Sequence, residues 1–176
     1  DPQGRIVIPA DKQGYIANKL LGRMNRQMPD VIDRVVLLPH QSLDDYLSLT
    51  AAADVLLDPI YYGGGLTAYD GFSMNKAIVT LPTQFVRGRY TTGFYQKMGV
   101  TDLIASTPEE YVDLAVRLGS DPAWRESIES RIRETSGILF DNSDAVRDHE
   151  QLFLAMIAEA RREGSNEILT SRGTQS

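Results

Sequence analysis

The sequence predicts a doubly wound α/β domain, a Rossmann-like parallel sheet of five strands flanked by helices. Three observations predict it. Short apolar runs alternate with stretches of helical spacing along most of the chain. The runs are continuous and not alternating, as expected of strands buried on both faces. Four of them close on proline, at Pro9, Pro39, Pro59 and Pro82; proline cannot donate to a ladder and ends a strand at its carboxyl side.

The first run is "RIVIP" (residues 5 to 9), followed by "YIANKLLGRMNRQM", which has helical spacing. The second, "RVVLLP" (34 to 39), leads into "SLDDYLSLTAAA". Ser42 is a good N-cap there, with Asp44 and Asp45 in the first turn, where the helix dipole favours negative charge. "DVLLDP" (54 to 59) is third and opens into a glycine loop with a helix starting near Thr67. "AIVTLP" (77 to 82) is fourth and "DLIAST" (102 to 107) fifth, with a helical "RYTTGFYQKMG" between them. Everything after the fifth run reads as helix: "PEEYVDLAVRLGS", "PAWRESIESRIRET" and "SDAVRDHEQLFLAMIAEARRE". The final helices are expected to pack back on one face of the sheet. Residues 1 to 164 are expected to form one lobe, and residues 165 to 176, polar and without periodicity, a flexible tail. Because the chain opens almost directly on a strand, it is expected to be a fragment of a longer protein.

A length of 176 residues suits one domain with a real core. The hydrophobic fraction of 42% and charged fraction of 24% are those of a soluble globular protein. No stretch has the apolar length of a membrane span. There are no cysteines, which excludes a disulfide scaffold and a thiolate metal site and fits a reducing, cytoplasmic setting. A net charge of -6 argues against general nucleic-acid binding. It leaves room for a nucleotide held in a local pocket.

The stretch "DPIYYGGGLTAYDGF" (58 to 72) carries the chemistry. Glycines are expensive to order, so three in a row point to a close approach to backbone, or to a tight loop needing positive φ. A glycine turn from strand to helix exposes N–H groups at the positive end of the helix dipole, where phosphate binds. Gly63, Gly64 and Gly65 would admit phosphate oxygens and Thr67 would add a hydroxyl. Asp70 follows one turn on and could accept from ribose hydroxyls. No Gly-Lys-Ser/Thr follows the loop, and no G-x-G-x-x-G follows the first strand. In open parallel sheets ligands bind beyond the carboxyl ends of the strands, which is where this loop leaves the third one.

From about Asp33 to Met156, including "RVVLLPHQSLDDYLSLTAAADVLLDPIYYGGGLTAYDGF", "LIA", "EEYVDLAVRLGSD" and "LFDNSDAVRDHEQLF", the chain resembles the O-linked N-acetylglucosamine transferases, glycosyltransferase family 41. It is most similar to their bacterial relatives, in which tetratricopeptide repeats often precede the catalytic part. The resemblance implies the C-terminal lobe of a GT-B enzyme, the lobe that holds a UDP-sugar, with UDP-N-acetylglucosamine as donor. It implies a protein or peptide acceptor, the N-terminal lobe of the same protein as partner, and neither metal nor cofactor. Position by position, it implies that His40 and Gln41 present backbone groups to the uracil and that Tyr46 packs near base or ribose. Gly64, Gly65, Leu66 and Thr67 fall on the diphosphate loop and Asp70 on the ribose carboxylate. The family's phosphate-binding lysine lies upstream of Asp1.

Two positions depart from the family pattern. Leu66 stands where bacterial relatives carry a polar residue, and "MNKA" replaces a small-Gly-x-Pro turn; Asn75 in it tolerates left-handed backbone. Leu66 and the missing lysine support an alternative, a non-catalytic GT-B-like interaction domain with a degenerate donor site. A third reading, a GT-B epimerase acting on UDP-N-acetylglucosamine, usually requires a carboxylate-rich base site that is absent here. Other candidates have plainer explanations. Tyr61 and Tyr62 could stack on a base or pack the sheet edge, and Arg87 and Arg89 could reach a phosphate or pair with a loop carboxylate. His149 reads as a surface or packing residue, and Glu109–Glu110 as a helix start. No His/Asp/Glu cluster has metal-ligand spacing, and no general base is identifiable.

Overall fold

The structure, a computed structural model, describes residues 4 to 172, with side chains described to Arg162. The chain divides into two compact units, one ending at Leu139 and the other beginning at Phe140.

In the first unit β1 (Ile6–Pro9) pairs in parallel with β2 (Val35–Leu38), and β3 (Leu56–Leu57) in parallel with β4 (Ile78–Val79). Helix α1 (Tyr15–Gln27) and a 3-10 turn (Pro29–Arg34) connect the first pair. Helix α2 (Leu43–Ala52) leads to β3, and α3 (Leu66–Ser73) crosses from β3 to β4. Then follow α4 (Tyr90–Met98), α5 (Pro108–Ser120) and α6 (Pro122–Thr135). The predicted helices are thus present, and every strand pairing is parallel. Ser42 caps α2 as expected, its hydroxyl accepting from the Asp45 N–H at 3.2 Å.

The single five-stranded sheet is not formed among the described residues. Two two-stranded parallel sheets stand in its place, and the fifth run contributes one isolated parallel bridge, Thr80 to Ile104. Its ends explain why. The Ile104 N–H turns back to the Thr101 carbonyl at 3.2 Å, and the Ser106 N–H goes to the Glu110 carboxylate at 2.7 Å. Local turn and cap bonds therefore close the run on both sides of Thr80. In the first sheet the expected burial on both faces is not reached: β2 is half-buried throughout and β1 mostly exposed.

The core lies around β4 and that bridge, where Val79, Leu103, Leu118, Ile128 and Ile132 are fully buried beneath α3 to α6. Gly71 lets α3 press on the sheet; a Cβ there would sit 2.9 Å from Leu56 Cδ1 and 3.0 Å from Ile78 Cδ1. Tyr95 on α4 completes the core by closing an unpaired strand position. Its hydroxyl donates to the Ile78 carbonyl at 2.9 Å and accepts from the Ile78 N–H at 2.8 Å. Burial pushes the Tyr95 hydroxyl pKa well above its ordinary value. Asn75 takes left-handed backbone, φ 57°, so the "MNKA" departure keeps the turn. The following Lys76 pairs with Glu129 of α6 at 2.7 Å, both largely buried.

The second unit is α7 (Ser143–Arg172), started by Asn142, whose Oδ1 accepts from the Asp144 and Ala145 N–H groups at 3.1 and 3.2 Å. The helix continues to Arg172, through most of the stretch expected to be an irregular tail; residues 173 to 176 lie outside the described residues.

Tyr95→Phe is expected to destabilise the protein by about 1–3 kcal/mol, because both Ile78 backbone groups lose their partner in a dry core. Asn75→Ala is expected to cost about 1–2 kcal/mol while Asn75→Gly costs little, since only the alanine carries a left-handed penalty. Urea unfolding midpoints measure both; an unchanged midpoint for Tyr95→Phe would contradict the first, and equal midpoints for the Asn75 pair the second.

Candidate functional site

At the carboxyl ends of β1 and β2, Pro9, Ala10, His40, Gln41 and Tyr46 line a hollow of ≈ 220 Å³. Three of the six predicted positions outside the glycines therefore meet in one place. The Gln41 side chain folds back to donate to the Pro39 carbonyl, leaving the turn's backbone fixed after the proline. Burial raises the Tyr46 hydroxyl pKa above its usual value, the Thr50 side chain opposes that, and the Asp70 charge adds to it. Asp70 on α3 is thus within electrostatic reach of the hollow.

The glycine loop is organised from beneath by a residue that the sequence reasoning did not single out. Asp58, directly after β3, is 5% exposed. Its carboxylate accepts from the Gly64 N–H at 2.6 Å and from the Thr80 hydroxyl at 2.7 Å. The Gly63 N–H donates to the Arg87 carbonyl at 2.8 Å, and the Thr91 hydroxyl to the Gly64 carbonyl at 3.5 Å. None of the three glycines has positive φ; that conformation is confined, among the described glycines, to Gly14 and Gly99. What forbids side chains is proximity. A Cβ on Gly63 would lie 3.2 Å from both Asp58 oxygens, and one on Gly64 would lie 2.5 Å from Thr67 Oγ1. A Cβ on Gly65 would meet nothing nearer than Tyr90 Cδ2 at 3.8 Å. Only Gly65 lacks a reason within the protein to be glycine.

The helix starts of the first unit fall into two groups. Those of α1, α2, α5 and α6 are closed by the chain's own side chains. Asp11 accepts from the Tyr15, Ile16 and Ala17 N–H groups, and Ser42, Thr107 and Asp121 each accept from the first turn that follows. The starts of α3 and α4 have no side-chain cap. Among the described residues no hydrogen bond takes the N–H of Gly65, Leu66, Thr67 or Ala68. These are the donors a helix leaves unsatisfied at its positive end. Leu66 is 77% exposed beside them.

The remaining candidates are settled by contacts. Arg87, an exposed residue, donates from Nε to the Tyr61 carbonyl at 3.3 Å and stacks on Phe85, and no ion pair joins it to a loop carboxylate among the described residues. Tyr61 and Tyr62 are 85% and 72% exposed and do not pack the sheet edge. Arg89 lines a separate groove of ≈ 460 Å³ with Tyr69, Tyr90, Phe94 and Lys97. Glu110 closes the α5 start, and His149 Nδ1 bonds the Ala145 carbonyl of its own helix at 2.6 Å. No group of three or more His, Asp or Glu side chains that could hold a metal occurs among the described residues. No helix among them is long and apolar enough to cross a membrane.

The family model of glycosyl transferase family 41 matches residues 15–148, which take in the glycine loop, Asp58, Asp70 and most of the hollow. The chain belongs to glycosyl transferase family 41. It is 31% identical over 121 residues to the UDP-N-acetylglucosamine--peptide N-acetylglucosaminyltransferase of Caenorhabditis elegans, covering 68% of this chain and 10% of that protein. It is 26% identical over 107 residues to the UDP-glucose:protein N-beta-glucosyltransferase of Actinobacillus pleuropneumoniae serotype 5b, covering 60% of this chain and 17% of that one. Among solved structures, a K341M mutant of the Thermobaculum terrenum O-GlcNAc transferase is similar with TM-score 0.72 and 25% identity, over 92% of this chain and 30% of that chain. The chain therefore spans less than a third of each family 41 relative named.

In this family 41 sequence Asp58 closes a short apolar run, six residues before the glycine it binds, a pattern with no signal of its own until the burial of the carboxylate is seen. The different surroundings of Gly64 and Gly65 give substitutions there different costs. Gly64→Ala is expected to lower stability by about 1–3 kcal/mol through overpacking against Thr67 and the Ala68 N–H. Gly65→Ala is expected to lower it by less than about 1 kcal/mol, the difference between glycine and alanine at an N-cap. Thermal or denaturant unfolding of the two variants measures this, and a Gly65→Ala protein less stable than Gly64→Ala would contradict it.

Proposed function

We propose that this chain is the donor-binding lobe of a UDP-sugar-dependent protein O-glycosyltransferase, with UDP-N-acetylglucosamine as donor. The observation that carries this reading is the uncapped start of α3 after three glycines, with its free N–H groups one turn before Asp70, in a family 41 chain. The uracil sits in the hollow against the His40–Gln41 backbone, beside Tyr46. Asp70 accepts from the ribose hydroxyls, and the diphosphate lies on the Gly64–Thr67 turn, with the N–H groups of Gly65, Leu66 and Thr67 and the Thr67 hydroxyl as donors. The acceptor hydroxyl attacks the anomeric carbon, the bond to UDP breaks, and the electron pair leaves with the diphosphate. Donors fixed in advance at the α3 start stabilise the charge that develops there. The acceptor and the second wall of the cleft belong to the N-terminal lobe of the full-length protein. Exposed Leu66, which offers no side-chain donor, favours the alternative of a non-catalytic interaction domain.

Titration of the chain with UDP, followed by amide NMR shifts, separates the two readings. With one wall of the cleft, UDP is expected to bind with a dissociation constant on the order of 1 mM, equivalent to about 4 kcal/mol. ADP is expected to bind more weakly. Asp70→Ala and Thr67→Ala are each expected to cost about 1.5–3 kcal/mol of that binding, as charge-assisted hydrogen bonds do. If several millimolar UDP moves no resonance from residues 63 to 70, the donor reading fails and the interaction-domain reading takes its place.

A further inference from the structure

We infer that Asp58 is a positioning residue for the donor diphosphate: it selects which backbone N–H groups of the glycine loop face the ligand, by taking Gly64 out of the set. The inference rests on the proposed donor site and adds to it a residue that touches no substrate.

The loop contains a run of amides, Gly63 to Ala68, any of which might turn towards an anion. Two are held inward. The Gly63 N–H is bound by the Arg87 carbonyl at 2.8 Å and the Gly64 N–H by Asp58 at 2.6 Å. The next four, Gly65 to Ala68, have no such bond among the described residues. The change from inward to outward donors occurs at Gly64, and Gly64 is the residue that Asp58 grips.

A buried carboxylate so close to an anion site needs a compensating reason, because its charge repels the ligand. Burying a carboxylate is tolerated only with donors in place, and here Gly64 and Thr80 supply them. The same carboxylate is anchored through its main chain. The Asp58 N–H donates to the Val79 carbonyl at 2.9 Å, and the Asp58 carbonyl accepts from the Tyr111 hydroxyl of α5 at 3.0 Å. Asp58 therefore transmits the rigidity of the β3–β4 pair and of α5 to the loop. The position cannot be exchanged for apolar filling without leaving the Gly64 N–H and the Thr80 hydroxyl unpaired in a dry site.

The test uses the full chain, with UDP as probe and three variants. Asp58→Ala removes the acceptor. It is expected to shift the Gly64 amide proton upfield, to speed hydrogen exchange at Gly65 to Thr67, and to weaken UDP binding by about tenfold or more, a factor that corresponds to about 1.4 kcal/mol. Asp58→Asn keeps one acceptor oxygen for Gly64, turns its amide towards the Thr80 hydroxyl, and removes the repulsive charge. It is expected to restore the slow exchange and to bind UDP at least as tightly as the unsubstituted protein. Thr80→Val lowers stability but leaves the Gly64 bond intact, so it is expected to change the unfolding midpoint and leave UDP affinity within about twofold.

The inference is overturned if Asp58→Ala leaves the loop amides and the affinity as they were. It is equally overturned if Thr80→Val at matched stability loses as much affinity as Asp58→Ala, because the effect would then be one of stability. Failure of the unsubstituted chain to bind UDP sinks the donor reading instead. In that case the Gly64 shift and the exchange at Gly65 to Thr67 still decide whether Asp58 sets the loop.

Discussion

A carboxylate closed off from water at the end of a strand has to find donors nearby, and the geometry around Asp58 follows from that requirement. β3 ends at Leu57, and Pro59 stops any continuation of the ladder beyond Asp58. The Thr80 hydroxyl is one donor, supplied by the neighbouring run at the same level. The second has to come from the chain's own return, and the Gly64 N–H provides it. Closing that ring of residues over the carboxylate brings Gly63 so near its oxygens that no Cβ fits comfortably. Two of the three glycines are thus consequences of Asp58 and Thr67, and the third, with open space above it, faces outward.

The loop then sets where α3 begins, and Gly71 sets how deep it lies on the β3–β4 pair. These two constraints fix the helix at both ends. A helix fixed in this way can hold its first N–H groups in place without a side-chain cap, because its stability comes from packing and not from its own ends. Four other helix starts of the unit are closed, by Asp11, Ser42, Thr107 and Asp121, while that of α4 is open like that of α3. What sets the α3 start apart from that of α4 is the run of three glycines that leads into it. The α1 start, the usual phosphate position after a first strand, already carries the Asp11 carboxylate and would repel a second anion.

Much of this was legible in the sequence, and the reasons for the remainder are physical. Alternation and strand-ending prolines gave the parallel pairings and the helices, because buried periodicity and the missing proline N–H act locally. Ser42 and Asn75 were readable for the same reason, since a cap and a left-handed turn each need one residue type at one position. The extent of the sheet was not readable. Whether "DLIAST" extends a ladder or forms a single bridge depends on the competition between Thr80 and the local partners Thr101 and Glu110, which is decided in three dimensions. The glycines announced a close approach but not its object; Asp58 reads as an ordinary polar residue at a strand end until its burial is known. Nor did local pattern distinguish Tyr61 and Tyr62 as exposed, because aromatic residues at a strand end serve either purpose.

The donors on the α3 loop are neutral amides and one hydroxyl, supplemented by a helix dipole equivalent to about half a unit charge. Arg87, the basic side chain bonded to this loop, is turned to the Tyr61 carbonyl and the Phe85 ring. Asp58 and Asp70 contribute negative charge on either side, in a chain whose net charge is -6. A diphosphate bound here would therefore gain direction from the loop but little charge neutralisation. Direction is what backbone donors supply independently of sequence, so exposed Leu66 removes no N–H and leaves the orienting function intact. Neutralisation has to come from a cation outside residues 58 to 73. On the proposed reading, residues 58 to 73 would set the direction in which a leaving group lies, and most of the countercharge would have to be supplied by other groups.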